Sequence, residues 1–459
     1  MNEVGFGMPA LEQPATETAS GSTRIQLEVA PNPTYVDEEA RITVCGLAPR
    51  AAITLRAFAR DDAERRWSSQ AEFEADGRGA VDTRMSPAKG GSYLGVSPMG
   101  LFWSMSPEAG HENGRGLFAK NDEREDAVEI AAEVSGREVA RAILRRRFVA
   151  EGTTTRDLSV GEGGQGKVGK LFIPPGRGPH PAVIVVSGSG GGFDQDKAAV
   201  LSRHGFATLA LAYFGIPPLP AWLHKIPLEY FESALTWLSS QPEVDERRIS
   251  VLGVSRGAEL ALLLASSNPQ LRSVVAYAPS HVVWAAGGRD KETREEIPVW
   301  MRGEKPVPFA RLPLRRFMLR SAIPVVGLHR PVVFRNLFRA GMKNRREVSK
   351  AAIPVERIAG PVLLISGGGD QVWPAAEMSE AILARLNQNH FPHAAEHLRY
   401  PYAGHMLRYP FLPTTPRFSR HAHLRNAKFA YGGTAEADAA AEADAWRRAV
   451  AFLQKSLAR

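Results

Sequence analysis

At 459 residues, 44% of them hydrophobic, the chain is long enough for two hydrophobic cores, and no apolar run approaches the roughly 18 to 20 residues of a membrane-crossing helix. A net charge of +8 and a pI near 9.6 raise the question of nucleic-acid binding, but a solvated basic surface is the commoner meaning of such a balance, and no nucleic-acid partner is expected. The single cysteine, Cys45, has no partner for a disulfide, which points to a reducing, cytoplasmic setting.

Residues 1–22 are polar and lack the basic and apolar regions of a secretory signal, so a disordered lead is expected there. From 23 to 150 the pattern is all-β. Apolar residues alternate at Ile25, Leu27 and Val29, at Ile42 and Val44, and at Ile53, Leu55 and Ala57, with breaks at Pro31-Asn32-Pro33, Asp76-Gly77 and Lys89-Gly90-Gly91. A small β-sandwich fits, with Cys45 on a half-buried strand.

From 151 to 459 apolar strands alternate with helical stretches, the signature of a doubly wound, mostly parallel sheet and hence of an α/β domain. Strands are expected at Pro181 to Val186, Thr208 to Ala212, Ile249 to Gly253, Leu271 to Tyr277, Val362 to Ser366 and Glu396 to Tyr400. Helices are expected near Lys197 to His204, Leu228 to Ser239, Gly257 to Ser267, Ala375 to Asn387 and Ala435 to Ser456. The stretch at about 288–350 is rich in Pro and Arg, has no period, and reads as a lid inserted into the sheet. The final Ser-Leu-Ala-Arg is not the tripeptide that addresses proteins to peroxisomes.

The chemistry centres on Gly253-Val-Ser255-Arg-Gly257, which follows a β-rich run and opens an Ala/Leu helix. That is the context a nucleophile elbow requires, with the glycines Gly253 and Gly257 permitting a turn tight enough to project the serine hydroxyl. A hydroxyl is a weak nucleophile at neutral pH and needs a base, which in turn needs an orienting carboxylate. In an α/β hydrolase these follow in the order Ser, acid, His. Asp370 ends a strand in a glycine loop, and His405 lies in Tyr-Pro-Tyr-Ala-Gly-His just after the last strand, whereas His393 precedes that strand and His397 lies within it. The oxyanion hole is expected from the Arg256 amide and the Ser187-Gly-Ser-Gly-Gly-Gly192 loop, around Ser189 or Gly190. That loop lacks the Lys-Ser/Thr of a P-loop and does not open directly into a helix. No cluster has metal-ligand spacing, His421 and His423 read as surface residues, and neither a metal nor a cofactor is expected beyond coenzyme A carried by the substrate.

Between Arg302 and Arg346 the lid carries twelve Lys and Arg residues and one acid, Glu304. Such a field attracts a polyanion, for example the phosphates of coenzyme A; Arg315, Arg316, Arg345 and Arg346 are the candidate contacts, and a solvated basic face is the plain alternative. Phe309, Phe317, Phe334 and Phe338 could line an acyl channel or simply pack a core.

Over about Ile25 to Leu457 the sequence resembles the acyl-CoA thioesterases related to bile acid-CoA:amino acid N-acyltransferase. The resemblance rests on Val44-Cys-Gly-Leu-Ala-Pro, Trp67-Ser-Ser-Gln-Ala-Glu-Phe, Gly91-Ser-Tyr-Leu-Gly-Val-Ser-Pro-Met-Gly-Leu-Phe-Trp-Ser-Met105, His204-Gly-Phe-Ala-Thr-Leu-Ala-Leu-Ala-Tyr-Phe-Gly, Tyr230-Phe-Glu-Ser-Ala-Leu-Thr-Trp-Leu, the elbow, and Gly404-His-Met-Leu-Arg-Tyr-Pro. It implies a sandwich packed on an α/β-hydrolase domain, acting on acyl-CoA thioesters through a Ser or Cys, His, Asp triad, which maps onto Ser255, His405 and Asp370. Serine in place of cysteine tilts the expectation toward hydrolysis, since an acyl-serine ester yields to activated water while an acyl-cysteine is more readily taken by an amine. Acyl transfer, a plain carboxylesterase and a non-catalytic anion binder are the rival readings.

Overall fold

The computed structural model describes residues 24–108, 116–159, 166–286, 295–317, 330–420 and 428–458. The expected disordered lead at 1–22 and the pair His421 and His423 lie outside them. In the N-terminal part, side-chain alternation decides the architecture. Along Ala52–Arg60 the residues Ile53, Leu55, Ala57 and Ala59 point inward, and along Arg66–Glu74 so do Trp67, Ser69, Ala71 and Phe73. These two strands pair antiparallel inside a larger sheet whose order runs Thr34–Tyr35, Arg137–Arg147, Asp126–Val134, Ala52–Arg60, Arg66–Glu74, Gly90–Gly91, with Ser106–Pro107 also on Arg66–Glu74. A second sheet joins Gln26–Ala30, Arg41–Cys45 and Val81–Asp82, with Leu27 opposite Val44 and Val29 opposite Ile42. Cys45 lies on the half-buried strand expected there. It ends its strand with its side chain in solvent, while Ile42 and Val44 face the core.

The remaining chain builds one eight-stranded sheet. In chain order its strands are β1 (Thr154–Leu158), β2 (Val168–Ile173), β3 (His180–Val186), β4 (Ala207–Ala212), β5 (Val244–Val254), β6 (Leu271–Tyr277), β7 (Val362–Gly367) and β8 (Ala395–Tyr400). They lie in the order β1-β2-β4-β3-β5-β6-β7-β8, with β1 and β2 antiparallel and every pair from β4 onward parallel. This is an α/β-hydrolase sheet. Helices cover both faces, so the central strands read as unbroken apolar runs such as Val183 to Val186. Neither β1 nor β2 was foreseen: Thr154–Leu158 is polar and largely exposed at the sheet edge, and Val168–Ile173, though mostly buried, has its apolar run interrupted by Gly169 and Lys170.

Helices α1 (Gln195–Ser202) and α7 (Ala435–Ser456) cover one face; α2 (Leu228–Ser239), α3 (Arg256–Ser267) and α6 (Ala375–Gln388) cover the other. The first face shares a single continuous core with the sandwich, from Ile53 and Trp67 through Phe102 and Phe148 to Tyr409, Trp446 and Leu453. Polar contacts reinforce this join. The side chain of Asp37, in the sandwich, is buried and accepts from Arg203 Nη1 at 2.9 Å and Trp446 Nε1 at 2.8 Å, and it pairs with His204 Nε2 at 2.8 Å. Burial alone would raise its carboxyl, but the His204 hydrogen bond and the Arg203 charge outweigh it and hold Asp37 below the usual range.

The basic stretch read as a lid enters the chain between β6 and β7. Its described residues form short strands Trp300–Arg302 and Lys305–Pro306 and helices α4 (Arg335–Met342) and α5 (Arg345–Ala351). Among the described residues no helix is long and apolar enough to cross a membrane.

Helix α7 buries Glu442, whose Oε1 accepts the Arg408 amide at 3.0 Å and whose Oε2 meets no donor among the described residues. Burial pushes this carboxyl up to about 8, against the pull of Arg408. The folded protein therefore keeps a proton that the unfolded chain releases near the ordinary value of 4.5. Its contribution is full below about pH 4.5 and declines as pH rises toward 8. Glu442→Gln, which retains the acceptor, is expected to flatten that decline and to raise the melting temperature at pH 8 by a few degrees. Melting curves of both proteins from pH 5 to 8 are the measurement, and parallel curves would refute the assignment.

Candidate active site

Strand β5 ends at Val254 and α3 begins at Arg256, so Ser255 must reverse the chain in one residue. It does so at φ 57° and ψ −118°, a conformation that costs a non-glycine residue about 1–3 kcal/mol and persists only where its surroundings hold it. Here its amide donates to Tyr277 O on β6 at 2.8 Å, and its carbonyl accepts from Ala258 and Glu259 at 2.9 and 3.0 Å. The flanking glycines are required by contact. A Cβ on Gly253 would lie 2.1 Å from Gly257 O, and one on Gly257 would lie 2.4 Å from Ser187 O.

Asp370 leaves β7 through three glycines and is 1% exposed. Its Oδ1 accepts the amides of Val372 and Trp373 at 2.8 and 3.1 Å, leaving Oδ2 to reach His405 Nδ1 at 2.7 Å. The other ring nitrogen, Nε2, stands 3.1 Å from Ser255 Oγ. The loop bearing His405 is pinned on two sides. The His405 amide donates to Tyr431 O at 3.0 Å, and the Gly404 amide donates to Oδ1 of Asp438 at 2.6 Å, while Asp438 Oδ2 pairs with Arg417. The three side chains read from sequence order thus form one hydrogen-bonded line, buried at 8%, 5% and 1% exposure for Ser255, His405 and Asp370. The rival histidines do not join it. His397 Nε2 bonds Ser366 Oγ at 2.7 Å, and His393 packs on Phe391.

The glycine loop after β3 abuts the elbow at Gly188, where an added Cβ would sit 3.3 Å from Ser255 Cβ. Among the described residues the amides of Arg256, Gly188, Ser189 and Gly190 donate to no backbone carbonyl. The loop is braced by Tyr213, whose hydroxyl donates to Ser187 O at 2.6 Å, and burial raises that phenol so that it stays a donor. Sequence reasoning centred the hole on Ser189 or Gly190; the structure adds Gly188 as the point of contact.

Two residues, Glu259 and Trp373, escaped notice in the sequence, and a third, Arg335, was counted there only as part of the basic field. Glu259, one turn beyond Ser255 on α3, is fully buried and accepts from Arg256 Nη1 at 3.0 Å, Trp300 Nε1 at 2.8 Å and the Trp284 amide at 3.3 Å. The Arg256 guanidinium also donates to the carbonyls of Trp284 and Ala285, so this pair ties the elbow helix to the lid; a Glu at four residues past the serine is the signal that could have found it. Trp373 packs edge-on against His405 at 6.1 Å between centroids. Arg335 opens α4, its amide donates to Gln371 O beside Asp370, and its Nε is buried without an acceptor among the described residues.

The candidate substrate cations Arg315, Arg316, Arg345 and Arg346 are exposed and make no ion pair among the described residues, whereas Arg311 and Arg339 of the same lid pair with Glu347 and Glu377. Among the described residues no hydrogen bond or ion pair joins those four to Ser255, Asp370 or His405. The expected aromatic channel divides. Phe338 packs on Trp284 and Trp373, and Phe317 stacks on Phe334, but Phe309 packs against the separate core beneath α2 and α3. A cleft of about 580 Å³ lies on the sandwich, remote in sequence from the elbow; Arg41 with Asp82, and Arg50 and Lys89 with Glu74, neutralise one another in it.

Comparison with known proteins places the chain in a family. The sequence profile described as "Acyl-CoA thioester hydrolase/BAAT N-terminal region" matches residues 37–160, and that described as "BAAT / Acyl-CoA thioester hydrolase C terminal" matches residues 226–459. The peroxisomal succinyl-coenzyme A thioesterase of Mus musculus is 32% identical over 426 residues, spanning 92% of this chain and 94% of its own. Acyl-coenzyme A amino acid N-acyltransferase 1 of Mus musculus is 30% identical over 440 residues, spanning 94% and 98%. Among solved structures, a putative dienelactone hydrolase from Klebsiella pneumoniae covers 66% of this chain and 99% of its own at 18% identity and a TM-score of 0.39; the fold assignment rests on the strand order above. The chain is an α/β-hydrolase-fold enzyme belonging to the family of acyl-CoA thioesterases and bile acid-CoA:amino acid N-acyltransferases.

Proposed function

We propose that the chain hydrolyses acyl-CoA thioesters through an acyl-Ser255 intermediate. The observation that carries this reading is the line from Asp370 Oδ2 through His405 to Ser255 Oγ, at 2.7 and 3.1 Å. His405 Nε2 takes the hydroxyl proton as Oγ attacks the thioester carbon, and Asp370 holds the opposite ring nitrogen and offsets the imidazolium charge. The oxyanion is received by the amides of Arg256 and of the Ser189 and Gly190 loop. The intermediate collapses, the C–S bond breaks, and His405 returns its proton to the departing coenzyme A thiol. Water then gives a proton to His405 and attacks the acyl-serine ester, and collapse frees the carboxylic acid and restores Ser255.

The basic lid supports a polyanionic substrate, since Arg315, Arg316, Arg345 and Arg346 have no carboxylate partner among the described residues. Coenzyme A would then enter as part of the substrate and not as a resident cofactor. A reducing compartment suits a chain whose one cysteine has no intramolecular partner.

Transfer of the acyl group to an amine or hydroxyl acceptor is the second reading, favoured by the identity to the N-acyltransferase. Incubation with an acyl-CoA in the presence and absence of excess glycine, followed by mass spectrometry of products and of Ser255, separates the two. Hydrolysis predicts free acid and free thiol in equal amounts with glycine present. An N-acyl conjugate as the main product would establish transfer, and no acyl adduct on Ser255 at short times together with no thiol release would remove both.

A further inference from the structure

We infer that Trp373 is a positioning residue, a buried wedge that fixes the His405 ring and the Asp370 carboxylate against Ser255. The inference rests on the triad reading above and deepens it.

Trp373 meets each part of the site through a different atom group. Its amide donates to Asp370 Oδ1 at 3.1 Å, which turns the other carboxylate oxygen toward His405. Its indole stands edge-on to the His405 ring at 6.1 Å and 79°. The Arg256 guanidinium, on the residue next to Ser255, lies 5.8 Å from the indole centroid. The indole is itself fixed, because Nε1 donates to Ala278 O, just beyond β6, at 3.1 Å. On its lid side Phe338 packs edge-on at 5.4 Å and 81°, and Phe338 in turn packs on Trp284. Trp373 is 1% exposed.

An imidazole held only by one hydrogen bond at each nitrogen can still rock about the line joining them. A large, rigid ring packed beside it restricts that motion, and the same ring keeps water away from the 2.7 Å contact between His405 and Asp370. Substrate binding does not require either effect, whereas proton transfer at Nε2 does. The signature is therefore a loss in kcat and not in KM.

The test uses the full chain carrying Trp373→Ala, Trp373→Leu and Trp373→Phe. Leucine keeps the buried volume largely filled where alanine empties it, and phenylalanine keeps an aromatic ring while removing the bond to Ala278 and part of the indole's volume. Trp373→Leu is expected to lower kcat about 100-fold with KM changed less than about 3-fold, and Trp373→Phe to recover most of the rate. A second readout reports on the site without turnover. The proton shared by His405 Nδ1 and Asp370 should give a low-field NMR resonance in the parent protein and in Ser255→Ala, and that resonance should be lost to exchange in the Leu and Ala variants. A folded Trp373→Leu protein with near-parental kcat, a loss borne by KM, or a retained resonance would each overturn the proposal. Should Ser255→Ala still turn over substrate, the catalytic reading falls, while the resonance comparison continues to decide the role of Trp373.

Discussion

Ser255→Ala is expected to lower kcat for acyl-CoA cleavage by at least about 10⁴-fold while the melting temperature changes by no more than a few degrees. The large effect follows from removing the hydroxyl placed 3.1 Å from His405 Nε2. The small one follows because alanine faces the same backbone strain as serine at φ 57° and ψ −118°, and the backbone hydrogen bonds to Tyr277, Ala258 and Glu259 are untouched. Because the three side chains act as a unit, His405→Ala added to Ser255→Ala should cost almost nothing further. Steady-state rates for the two single variants and the double variant check this. A Ser255→Ala protein within tenfold of the parent, or a double variant losing the product of the single losses, would refute a serine mechanism.

Asp370→Asn should be nearly as damaging, with kcat falling by about 10⁴-fold, for a reason the hydrogen bonds make specific. Oδ1 of Asp370 accepts two amides, from Val372 and Trp373, so an asparagine must place its carbonyl oxygen there. Its NH₂ group then faces His405 Nδ1. That nitrogen becomes an acceptor, the proton moves to Nε2, and the base presents a donor to Ser255 Oγ where an acceptor is required. The variant should fold normally and bind substrate with KM little changed. The check is a kcat and KM determination beside a melting curve; retention of more than about a tenth of the parental kcat would show that Asp370 does not set the tautomer.

How much of this could be read from the sequence follows from which interactions are local. The elbow was legible because a strand, two glycines and a helix must adjoin for Ser255 to project, and all lie within a dozen residues. Asp370 and His405 were legible because strand order limits where an acid and a base can reach the same edge. The central strands were legible as continuous apolar runs. Edge strand β1 was not, since its polar residues, lying mostly in solvent, carry neither signature. Trp373 was invisible for a different reason. Its partners Ala278, Arg256, Phe338 and His405 come from four separate segments, and no spacing within Gln371-Val-Trp-Pro announces that they will meet. The lid was recognised as a basic insertion, yet its two phenylalanine groupings and the exclusion of Phe309 depended on tertiary packing alone.

The continuous core that runs from Trp67 to Trp446, closed by Asp37 against Arg203, His204 and Trp446, has a consequence for how this protein can be divided. A sandwich expressed alone would present to water the apolar surface that α1 and α7 now cover, and the severed hydrolase part would do the same from its side. The two should melt together in one cooperative step, and neither is a module that can be exchanged by cutting at the connecting residues. A chimera that preserves function would have to carry both surfaces of the join from the same parent, whatever linker is chosen.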